Sequence, residues 1–135
     1  MPRDCYFALV AHALDGLPDE ACGLIVGSFG SDKVDRFVAL RNAAASSKLY
    51  EIDPSDWAAA EDEADREKLA ILGVVHSHTH TSAYPSPTDV RQAGITDPFG
   101  VLRYLIVSLK HAQPSLRCFR IVDDDIVEEP VALVD

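Results

Sequence analysis

The chain has 135 residues, 47% of them hydrophobic and 25% charged, which is the balance of an ordinary globular domain and not of a disordered one. That length suits one domain, residues 1–135, with a proper core and no room for a second. The formal net charge of −10, with only twelve scattered lysines and arginines, speaks against nucleic-acid binding, which needs clustered cations.

The N-terminal stretch MPRDCYFALVAHALDG places Tyr6, Leu9, Val10 and Ala13 at helical spacing. This predicts a short amphipathic helix over 4–14, with Asp4 as its N-cap and Gly16 as its stop. The apolar part is brief and broken by His12, so it is no signal peptide, and no run in the chain approaches the roughly eighteen apolar residues of a membrane span. His12, near the helix end, reads as a surface residue favoured by the helix dipole.

A proline-led turn at Leu17-Pro18-Asp19 opens into the apolar run Ala21 to Gly27, the first core strand, with Glu20 at its mouth. Taken alone, Glu20 is a solvated carboxylate at a strand end. Cys22 has no basic neighbour and reads as a small core residue. With Cys5 and Cys118 it makes an odd number with no Cys-x-x-Cys, which suggests neither a disulfide framework nor a thiolate metal site and fits a reducing cytoplasm. Gly30-Ser31-Asp32 is a turn and Lys33 to Leu40 a second strand, so the pair forms a hairpin. After the loop 41–47, Tyr50-Glu51-Ile52 reads as a short strand. Asp53-Pro54-Ser55-Asp56 then starts a helix through Glu67, with a thin buried stripe of Trp57, Ala60, Ala64 and Leu69.

The next segment, Ala70-Ile71-Leu72-Gly73-Val74-Val75, is a buried strand that leads into His76-Ser77-His78. Strand side chains repeat every second residue, so His76 and His78 face the same way and converge on one point. Ser86-Pro87-Thr88-Asp89 has the form of a helix start, with serine as N-cap, proline at the first helical position and an acid in the first turn. By themselves Ser86 and Asp89 read as a capping box. Beside the two histidines, within fourteen residues, Asp89 becomes a third ligand. Three imidazole and carboxylate ligands leave one tetrahedral position open, the mark of a catalytic zinc site. Gly94 and Pro98 bound this helix. Strands over 101–109, 116–122 and 126–131 complete the chain, with the Asp123-Asp124-Asp125 stretch as a hairpin turn and not a calcium loop.

A glutamate at an early strand, then His-x-His, seven residues and Ser-x-x-Asp, resembles the JAMM motif of the MPN (JAB1/MPN/Mov34) metalloproteases. Pro18-x-Glu20-x-Cys22-Gly23, Asn42, Tyr50 and Asp53-Pro54 look like the stand-alone prokaryotic branch. The His-Ser-His-Thr and Ala83-Tyr84-Pro85-Ser86 contexts are most similar to actinobacterial enzymes that release cysteine from a ubiquitin-like sulfur-carrier protein. The resemblance implies an α/β (α+β) domain, a mixed curved β-sheet flanked by helices, with Zn2+ held at a strand end by His76, His78 and Asp89. It implies Glu20 as general base and Ser86 as oxyanion donor. The implied partner is a sulfur-carrier protein ending in Gly-Gly, with the amide at that terminus hydrolysed. Two other outcomes stay open: an isopeptidase acting on lysine-linked modifiers, and a non-catalytic scaffold. His80, two residues past His78, is either an exposed loop residue or a competing ligand. Monomer and homodimer are both compatible with the sequence.

Overall fold

A computed structural model describes residues 1–135. In chain order the elements are α1 (Arg3–Asp15), β1 (Cys22–Gly27), β2 (Val34–Leu40), α2 (Pro54–Arg66), β3 (Ala70–His78), α3 (Pro87–Thr96), β4 (Arg103–Ser108), β5 (Ser115–Val122) and β6 (Asp125–Glu129). The strands form one mixed sheet in the order β2-β1-β3-β4-β5-β6. Only β3 and β4 run parallel, and α3 lies in the crossover that joins them, because parallel neighbours cannot be linked by a tight turn.

Both faces of the central strands are buried, which is why they read as continuous apolar runs. Alternation sends Ile25, Val75, Leu105 and Val107 to one face, where Cys5, Leu9 and Ala13 of α1 cover them. Cys22, Leu24, Val74, Tyr104 and Ile121 take the other face, under Ala60 of α2, Ala93 of α3 and the ring of Tyr50. His76 and His78 continue the parity of Val74, so the fold places both imidazoles on the α2/α3 side.

Several boundaries differ from the sequence reading. The first helix begins one residue earlier, with Pro2 in the cap position and Asp4 inside the first turn. Tyr50-Glu51-Ile52 is not a strand; that segment is irregular and packs its tyrosine inward. Gly94 lies within α3, where a Cβ would meet nothing, and the helix runs on to Thr96 with Asp97 as its C-cap, directly before Pro98. There the Asp97 carboxylate accepts from the Val101 and Leu102 amides, each at 2.9 Å, which ties the end of α3 to the approach of β4. Asp123 and Asp124 have φ of 50° and 67° and connect the paired residues Val122 and Asp125, a two-residue hairpin turn of the type I′ form. The last strand stops at Glu129, short of Val131.

Candidate metal centre

The centre is assembled where β1 and β3 end together. Their antiparallel register pairs Cys22 with His76, and it continues past the regular ladder. The Ser77 amide donates to the Ala21 carbonyl at 2.9 Å, and the Ala21 amide donates to the Ser77 hydroxyl at 2.8 Å. One step further along that register, Glu20 comes level with His78. The single residue between the histidines thus faces away from them and fastens the segment that carries Glu20.

His76 and His78 are 2% and 3% exposed, and their Nε2 atoms lie 3.1 Å apart. Asp89 arrives from the first turn of α3. Ser86 caps that helix by accepting from the Asp89 amide at 3.1 Å, and the Ser86 amide donates to Asp89 Oδ2 at 2.9 Å. One carboxylate therefore serves both the capping box and the candidate ligand cluster, since Oδ2 also lies 3.2 Å from Nε2 of His76 and 3.0 Å from Nε2 of His78.

These separations suit a cation at the centre. Bonds of about 2.0–2.1 Å in a tetrahedral arrangement hold neighbouring ligand atoms roughly 3.3 Å apart, and the three donor atoms here lie within 4.8 Å of one another. The His78 Nδ1 faces the Ser82 carbonyl at 2.7 Å. A carbonyl only accepts, so Nδ1 carries the hydrogen and the Nε2 lone pair can turn inward. The His76 ring is stacked on Tyr50, with centroids 4.3 Å apart and planes 23° from parallel. Burial alone would raise the Asp89 carboxyl, but hydrogen bonding to His76 and His78 reverses this and holds it well below the usual carboxylate range. Burial lowers the His76 pKa; at His78 burial also pulls down, but the bonds to Asp89 and to the Ser82 carbonyl, with the charges of Asp89 and Glu20, together raise it.

Glu20 is 6% exposed, and its Oε1 has no hydrogen-bond partner. Burial lifts its carboxyl to about 7, with Asp89 adding to the rise and His78 opposing it. A buried carboxylate oxygen left without a partner is costly in a purely structural role and fits a group that meets a ligand. Ser86 is half-buried; its oxygen accepts from Asp89, which leaves its O–H free to donate. His80 is exposed and outside the cluster of donor atoms.

Three residues make contacts that the sequence did not announce. Tyr50, read as a strand residue, packs on a candidate ligand. Asn42, singled out in the sequence only as part of the family resemblance, donates to the Glu20 carbonyl at 2.9 Å. His12 is no surface group: its Nε2 lies 2.9 Å and 3.0 Å from the carbonyls of Cys22 and Leu40, bracing α1 against the β1–β2 hairpin.

Comparison with known proteins adds to this geometry. The family model for prokaryotic homologs of the JAB domain matches residues 2–122. The CysO-cysteine peptidase of Mycobacterium tuberculosis is 42% identical, over 98% of this chain and 88% of its own length. A probable TtuB-protein conjugate cleaving protease of Thermus thermophilus is 33% identical over 73% of this chain and 66% of its own. Among solved structures, a Desulfitobacterium hafniense protein superposes with a TM-score of 0.89 at 34% identity, covering 99% of this chain and 91% of that one. No helix is long and apolar enough to cross a membrane.

Proposed function

This chain belongs to the family of prokaryotic JAB-domain proteins, and from that premise we propose that it is a zinc-dependent hydrolase of conjugates formed at the C-terminal Gly-Gly of a ubiquitin-like sulfur-carrier protein. The amide cut is one that links the carrier to cysteine. The observation that carries the reading is the triad of donor atoms from His76, His78 and Asp89, 3.0–3.2 Å apart, beside the unpartnered carboxylate of Glu20. Two relatives support the substrate class, one acting on a cysteine conjugate and one on protein conjugates. A scaffold would have no use for a complete ligand set with an orphaned acid next to it.

His76, His78 and Asp89 would hold the zinc through Nε2, Nε2 and Oδ2, a nitrogen and oxygen set that suits this ion. When bound, the ion would polarise the amide carbonyl and bring the pKa of a water down to about 7. Glu20 accepts a proton from the attacking water as the new C–O bond forms. It returns that proton to the departing nitrogen as the C–N bond breaks, so the products are a carrier carboxylate and free cysteine. The Ser86 O–H donates to the carbonyl oxygen as negative charge builds there. Glycines at the carrier terminus fit because they bring no side chain to a centre whose donors are all buried.

Ser86 serves two ends, and its replacement separates them. Ser86→Ala should lose on the order of 10²-fold or more in kcat, as for removal of an oxyanion donor, while the lost N-cap costs about 1 kcal/mol of stability. Activity assays and urea unfolding on the same preparation read the two effects. A rate near that of the wild type with stability down would leave Ser86 a cap only.

The leaving group is settled by kinetics. Carrier–cysteine and carrier–lysine-isopeptide conjugates are mixed with the protein side by side and followed by mass spectrometry. The cysteine conjugate is expected to be cleaved far faster; equal or faster cleavage of the isopeptide would replace this reading with that of an isopeptidase.

A further inference from the structure

We propose that Asn42 is a positioning residue for Glu20, acting through the main chain of Glu20 and through the loop that runs over the centre. Its amide is the hub of that loop. Nδ2 donates to the carbonyls of Glu20 at 2.9 Å, Leu49 at 3.0 Å and Ser46 at 3.4 Å. Oδ1 accepts from the amides of Ala44 and Glu51, both at 3.0 Å. Three carbonyls on one side and two amides on the other fix which end of the side chain is nitrogen.

The bonds meet at Glu20. Its carbonyl accepts from Asn42, and its amide donates to the Ser46 carbonyl at 2.8 Å, the carbonyl that Asn42 also reaches. Glu20 precedes β1, so the sheet ladder does not hold it; the bonds between Ala21 and Ser77 end one residue short. The carboxylate has no partner on Oε1 to aim it. The point from which the side chain starts is therefore set by the two peptide groups that flank its Cα, and the loop bonds to both.

The loop does not adopt this shape by itself. Ala45 has a φ of 46°, in the left-handed region that an alanine disfavours. Asn42 supplies the bonds that outweigh this. The same hub sets where Ser46 and Ser47 turn toward the centre, the latter accepting from the buried Thr79 hydroxyl at 3.2 Å. At the loop's far end, the Tyr50 ring is delivered onto His76.

The assignment rests on Glu20 as the proton carrier. Asn42→Asp keeps the acceptor for Ala44 and Glu51 but turns an oxygen toward three carbonyls, and Asn42→Ala removes both functions. With the carrier–cysteine conjugate as substrate, Asn42→Asp should lower kcat about 10- to 100-fold, the cost of misplacing a reacting group, and leave KM and metal content unchanged. In amide hydrogen exchange followed by NMR, the Glu20 amide should lose protection while the Ser77 amide, which bonds to Ala21, keeps it. In a Glu20→Gln background the Asn42 replacement should cost nothing more, because it acts through the carboxylate already removed. Wild-type kcat in Asn42→Asp, equal loss of protection at Glu20 and Ser77, or additive losses in the double variant would each overturn the proposal. If Asn42→Asp does not fold, the exchange pattern and the cycle are read on Asn42→Ala. Near wild-type activity of Glu20→Gln alone would instead sink the role given to Glu20, and the exchange pattern would still report on the clamp.

Discussion

Asp89→Asn is expected to give a folded protein that has lost most of its metal and at least about 10³-fold in activity, corresponding to several kcal/mol of charge stabilisation in the transition state. The substitution isolates the ligand role. Asparagine at the same place still offers an oxygen to the Ser86 amide, which now donates to Asp89 Oδ2 at 2.9 Å, so the start of α3 keeps its capping box. What disappears is the negative charge between two imidazoles 3.1 Å apart. His76→Ala and His78→Ala should behave alike in metal content, measured by elemental analysis of the purified proteins. His80, exposed and outside the cluster, is not placed to substitute for either. Full metal occupancy in all three variants would show that the ion is held elsewhere.

Glu20→Gln should leave the metal in place and remove activity, by on the order of 10²–10⁴-fold, the usual worth of a general acid–base group. The two variants thus fail in opposite ways, one empty and one loaded. The pH profile adds a second readout. A base must be deprotonated to accept a proton, so kcat/KM should fall as pH drops through the pKa of Glu20. Burial lifts that carboxyl to about 7, and a cation alongside favours the charged form, so the inflection belongs at 7 or below. Glu20→Gln should abolish this acid limb from whatever activity remains. A loaded Glu20→Gln protein with wild-type turnover would remove Glu20 from the reaction.

The parts of this centre that were legible in the sequence are those written in local patterns. Alternation along 70–78 put His76 and His78 on one side, and the serine, proline and acid at 86–89 announced a helix start; the structure brings these residues together. Apolar runs and turn residues marked six strands that the structure contains and a seventh at 50–52 that it does not, while the mixed arrangement of the sheet came from the family resemblance and agrees with the JAB1/MPN fold. Illegible were the contacts made by loops. Nothing in Tyr50-Glu51-Ile52 distinguishes a short strand from an irregular segment that stacks its tyrosine on an imidazole 26 residues later, because the difference lies in the partner and not in the segment. His12 met the same difficulty: near a helix end it reads as solvated, and only the packing of α1 on the hairpin brings two carbonyls to it. Gly94 misled in the other direction, since a glycine with open space around it costs a helix only about 1 kcal/mol.

The two halves of the centre differ in how far apart they lie along the chain. All three candidate ligands come from a single stretch of fourteen residues, His76 to Asp89, whereas Ala21 and Ser77, the pair that brings Glu20 alongside, are 56 positions apart. Closing the short loop demands little chain entropy, and pairing β1 with β3 demands more. In the proposed reading, bringing Glu20 to the ligands therefore depends on the long-range pairing of β1 with β3, whereas bringing the ligands to one another spans only the short stretch from β3 into α3.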